Sequence, residues 1–86
     1  MDQPVANSIA LTNLSIGSRA RIVSILGGHG LHLRLLGLGL RVGSEIEVLH
    51  QRGRGVVVAS AGNRIALGGG VAEKLLIEPL PPATNN

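Results

Sequence analysis

The 86-residue chain contains no phenylalanine, tryptophan or tyrosine and no cysteine. Without aromatic rings there is no platform on which unpaired bases stack, which argues against single-strand binders of the RNA-recognition or cold-shock type. Without thiols there is no disulfide framework, no thiolate zinc finger, no iron–sulfur cluster and no cysteine nucleophile. Acidic residues are few, and Asp2 is the only aspartate. Glu45 and Glu47 would lie side by side on one strand face, which is the arrangement of a solvated edge rather than of a glycosidase pair. No serine sits in a nucleophile elbow. Composition and spacing therefore point away from an enzyme. Long apolar runs are also missing: the charge-free stretch over residues 22–33 contains three glycines and two histidines and falls well short of the roughly 20 residues a bilayer-spanning helix needs. The first residues, MDQPVANS, carry an acid and no basic region, unlike a secretion signal. A cytoplasmic location is expected.

What remains is aliphatic and basic. Hydrophobic residues make up 44% of the chain, so the core must be built from leucine, isoleucine, valine and alanine. A chain of this length supports one small domain, which buries only about 60% of the surface it exposes when unfolded. The net charge of +3 reflects scarce acids more than a dense basic patch. Residues 1–8 and 80–86 are rich in polar residues and proline and read as flexible tails around a domain at residues 9–79.

Hydrophobic periodicity gives the elements. Over residues 18–26 strict alternation puts Ala20, Ile22, Ser24 and Leu26 on one strand face and Arg19, Arg21, Val23 and Ile25 on the other. Residues 31–38 carry leucines three and four apart, a short helix with Leu31, Leu35 and Leu38 in one stripe and Leu33, Leu36 and Leu40 beside it. Glycines 37, 39 and 43 end it. Residues 45–50 alternate again, with Ile46 and Val48 inward and both glutamates outward. Residues 51–55 form a hairpin loop, residues 56–59 and 64–67 two more strands around a turn at 61–63, residues 71–74 a helical turn, and residues 75–78 the closing strand. The result is a mainly β fold: a small, partly open barrel of about five strands with one short inserted helix and one C-terminal helical turn.

The string LTNLSIGSRARIVSI, then RLLGLGLRVGSEIEVL, then VVVASAGNRIALGGGVAEKLLIE, resembles the FeoA family of small cytoplasmic proteins that accompany the bacterial ferrous-iron transporter FeoB. The likeness covers residues 11–78. It is carried most strongly by Arg34-Leu35-Leu36-Gly37-Leu38-Gly39-Leu40 with Gly43 following, which is similar to the family's R-L-x-x-L-G-L-x-x-G core. The resemblance implies an SH3-like barrel, no catalysis, and support of Fe(II) uptake through contact with the membrane GTPase, which would hold the protein at the inner membrane. Two positions depart from the family pattern. Gln51-Arg52-Gly53-Arg54-Gly55 stands where a proline-rich loop is common, and Gly68 stands where a basic residue often follows the leucine of the tail motif.

The expected partner-binding residues are Arg34, Leu35, Leu36, Leu38, Leu40 and Arg41. A helix with leucine on most of its circumference either caps the open end of the barrel or leaves a cleft for a partner's apolar side chain, and the two readings are compatible. Besides the transporter, a second copy of the chain in a homo-oligomer is the other partner considered. His29 and His32 are three apart and share a helix face, but two imidazoles are short of the three or four ligands of a stable site, and His50, Glu45 or Glu47 would have to complete it. No cofactor is required; weak binding of Fe or Zn is the most these histidines imply. Two alternatives to the FeoB-accessory reading are a metal-responsive module on those histidines and a nucleic-acid-binding barrel using Arg19, Arg21, Arg52 and Arg54, although no nucleic acid is expected. Gly68-Gly69-Gly70 lacks the lysine and serine or threonine of a phosphate loop and reads as a turn without a ligand.

Overall fold

The computed structural model describes residues 8–81. Six strands and two helices follow one another: β1 (Ile9–Ala10), a 3-10 turn (Leu11–Asn13), β2 (Arg19–Ile25), α1 (His29–Gly37), β3 (Glu45–Arg52), β4 (Gly55–Ser60), β5 (Asn63–Leu67), α2 (Gly69–Ala72) and β6 (Leu75–Pro79). They form one antiparallel sheet in the order β1-β6-β2-β3-β4-β5, curled around an aliphatic core and not closed by pairing of its two outer strands. The architecture is the expected mainly β, partly open barrel, with six strands rather than about five. The additional one, β1, pairs Ile9 with Ile77 and Ala10 with Leu76, and two residues are too few to show an alternation. The tails expected at 1–8 and 80–86 lie largely outside the described residues. Leu80 is within them, and its N–H donates to the Arg19 carbonyl at 2.8 Å.

Turn chemistry sets the hairpins. β3 runs to Arg52, so the loop expected over residues 51–55 narrows to Gly53-Arg54. Gly53 takes φ +60° there, which lets a two-residue connection match the twist of the strands it joins. Ala61 and Gly62 both take positive φ at the β4–β5 turn, the signature of a type I′ turn. The core is continuous and aliphatic, with Leu11, Ile22, Leu35, Leu40, Leu75 and Ile77 as its largest fully buried side chains.

Two bulges overturn strict alternation. In β2 the pairing runs Ile22 to Ile77 and then Ser24 to Leu76, so Val23 and Ser24 together oppose one step of β6. The extra residue flips the face of everything after it. Ala20 and Ile22 point inward as expected, but Ile25 is then buried and Leu26 is left 50% exposed, the reverse of the alternating assignment. In β3 the register steps from Val48–Val58 to His50–Val57, with Leu49 as the extra residue. Gln51 therefore shares the inner face with its partner Val56, and its amide Nε2 donates to the Leu14 carbonyl. His50 shares the outer face with Val57, which in turn pairs with Ala66 of β5.

Candidate functional site: the leucine segment between β2 and β3

The segment linking β2 to β3 consists of α1 and the turns on either side of it. Its C-terminal end is a Schellman motif. Leu40 N–H donates to the Leu35 carbonyl at 2.8 Å and Gly39 N–H to the Leu36 carbonyl at 2.9 Å, while Gly39 takes φ +93°. A hydrophobic contact between the two residues that bracket such a motif normally accompanies it, and here those residues are Leu35 and Leu40. Both are core residues, 1% and 0% exposed. The expectation that they meet a partner is corrected on that ground: their side chains anchor α1 to the barrel, Leu40 with no exposed surface and Leu35 with only a trace of it beside the helix.

The other leucines of the motif face outward. Leu36 is 54% and Leu38 47% exposed, and Arg34 and Arg41 are exposed as well. Leu26, Leu33 and Val42 join them, so five of the six exposed large hydrophobics among the described residues fall between positions 26 and 42. Sequence reasoning missed Leu26 and Val42 as surface. Leu26 was hidden by the β2 bulge, and Val42 sits in a turn with no periodicity to read. A narrow cleft of about 50 Å³ separates α1 from the barrel. Leu31, Leu35 and Leu38 line one side with Arg34 at the rim, and Leu67 and Val71 lie opposite. Arg41 lies apart from the cleft; its backbone N–H donates to Ser44 Oγ at 3.0 Å and fixes the turn into β3.

Charge is arranged unevenly. Glu45 accepts from both Arg19 (3.4 Å) and Arg21 (3.2 Å), and Glu73 accepts from Arg54 (3.3 Å). Three of the four arginines of the nucleic-acid reading are thus held by carboxylates. Arg34 and Arg41 make no ion pair among the described residues, and the sequence has no acid at all from residue 3 to residue 44. His29 opens α1 and His32 lies one turn on, both exposed. No group of three or more histidine, aspartate or glutamate side chains gathers among the described residues, so His50, Glu45 and Glu47 do not complete a ligand set with them. No helix among the described residues is long and apolar enough to cross a membrane.

Gly68-Gly69-Gly70 has a packing explanation. A Cβ on Gly69 would stand 2.7 Å from Arg54 Cβ and 3.2 Å from the Arg54 carbonyl carbon, and one on Gly55 would stand 3.3 Å from the carbonyl oxygens of Arg52 and Leu67. Glycine lets the β3–β4 hairpin tip lie directly against the start of α2.

Comparison with known proteins places the chain. The FeoA domain family model matches residues 9–79. A protein of Methanocaldococcus jannaschii named for Fe(2+) transport protein A is 31% identical over 62 residues, 72% of this chain and 76% of that one. The crystal structure of an iron uptake regulatory protein (FeoA) superposes with a TM-score of 0.79 at 31% identity, covering 85% of this chain and 99% of its own. A manganese-dependent transcriptional repressor superposes with a TM-score of 0.80 at 19% identity, covering 90% of this chain but 44% of the repressor. At that identity the likeness is one of fold alone.

Proposed function

The chain belongs to the FeoA family, and on that footing we propose that it is a non-catalytic cytoplasmic accessory protein of ferrous-iron uptake, acting by contact between its leucine segment and a FeoB-type membrane GTPase transporter. The observation that carries this reading is the division of labour within one short motif. Leu35 and Leu40 fasten the helix, and Leu33, Leu36 and Leu38 are left in water beside Arg34 and Arg41, which pair with no carboxylate among the described residues. Exposed aliphatic side chains gathered in one segment lose free energy in water that a partner surface recovers, at roughly 25 cal/mol per Å² buried. The arginines at the margin favour an acidic surface on the transporter and steer encounter more than they hold the complex.

Co-purification with the transporter tests the contact. Leu36→Glu places a charge in the centre of the face and is expected to weaken capture at least about tenfold and to lower iron uptake, with the fold intact by circular dichroism. Undiminished capture by Leu36→Glu, or unchanged Fe(II) uptake in a strain lacking the protein, overturns the proposal.

A further inference from the structure

The cleft beside α1 is one end of a longer depression. A second cavity, of about 510 Å³, lies on the outer face of β3, β4 and β5, floored by Val57 and Ala66 and edged by His50 and Arg52. The two share Ala66, Leu67 and Gly68, so they meet across the C-terminal end of β5. The β3 bulge is what turns His50 and Arg52 onto this face. Among the described residues the lining includes Arg34 at one end and Arg52 at the other, neither in an ion pair, and no carboxylate. β5 is also a terminal strand of the sheet, and among the described residues no backbone hydrogen bond runs from it to any element but β4.

We propose that this depression binds an extended peptide segment with acidic residues on both sides of an apolar anchor, laid beside the free edge of β5. The unpaired N–H and C=O groups of a terminal strand accept another strand, which supplies affinity without regard to sequence. Side-chain chemistry supplies the selection. The small cleft between α1 and α2 takes the anchor against Leu31, Leu38 and Val71, and the flanking carboxylates meet Arg34 and Arg52. A strand edge and a concave apolar cleft favour a polypeptide over a lipid surface or a nucleic acid, neither of which offers main-chain partners. The inference shares only Arg34 and Leu38 with the transporter-docking face, and its test needs no transporter, so either proposal can fail while the other stands.

Fluorescein-labelled short peptides with two central leucines, flanked by aspartate and glutamate at varied spacing, are titrated into the full chain. The same peptides with lysine for each acid, phosphatidylglycerol vesicles and single-stranded polynucleotide form separate arms. The acidic set is expected to bind more weakly as NaCl rises from about 50 to about 500 mM, and the lysine set not to bind. Arg34→Glu and Arg52→Glu are each expected to weaken binding by about tenfold, and Arg41→Glu, outside both cavities and off β5, to leave it unchanged. Backbone amide shifts should centre on residues 63–68. Failure of every acidic peptide to bind below about 1 mM, an equal loss with Arg41→Glu, or tighter binding to vesicles or polynucleotide would overturn the proposal.

Discussion

The β3–β4 hairpin tip and the α1 segment are both built from glycine, arginine and aliphatic residues, and they use them in opposite ways. At the hairpin tip glycine removes side chains so that two stretches of backbone touch, and Arg54 closes the join by pairing with Glu73. Along α1 glycine turns the chain sharply at its C-terminus and leaves successive leucines on opposite sides of the backbone, and among the described residues Arg34 and Arg41 pair with no carboxylate. One region is complete in itself. The other is complete only on its inner side.

Substitutions can separate the two. The largest effect is expected within α1 itself: Leu35→Ala removes a fully buried anchor and should cost about 2–5 kcal/mol, read as a large fall in the midpoint of chemical denaturation. An intermediate effect belongs to the hairpin corner. Gly69→Ala drives a methyl group into Arg54 Cβ and should cost about 1–3 kcal/mol, a fall in Tm of very roughly 4–8 °C for each kcal/mol in a domain of this size. The smallest is Leu36→Ala, one residue from Leu35, which should stay within about 0.5 kcal/mol of the parent. If Leu36→Ala proved as costly as Leu35→Ala, the outward side of α1 would be structural and the contrast would disappear.

Much of this was legible before the structure. Ile46 and Val48 alternate with two glutamates and are buried as a period-two strand requires, while residues 56–59 and 64–67 are the strands expected, with Val56, Val58, Ile65 and Leu67 as their buried sides. The glycine triplet was read as a turn ahead of a helical turn at residues 71–74, whereas Gly68 caps α2 and Gly69 and Gly70 begin it; the reason for glycine there, the approach of Arg54, joins residues fifteen positions apart and leaves no local trace. The helix was found, but its orientation was not. Leucines at 31, 33, 35 and 36 point to several sides of the helix, so spacing alone does not choose the buried stripe, and the clue lay in the placing of Leu35, Gly39 and Leu40, a cap pattern rather than a periodicity. The depression at β5 escaped for a related reason. Carrying alternation past Val48 points His50 inward, and only pairing with Val57 reveals the added residue.

The added residue in β2 has the wider consequence. Whether Leu26 meets water or the interior depends on counting, since a chain shorter by one position between Ile22 and Ile25 would enter α1 half a pleat out of phase. Relatives could therefore gain or lose this greasy approach to the helix by a single-codon deletion with no exchange of residue types, and a comparison aligned on composition alone would pass over it.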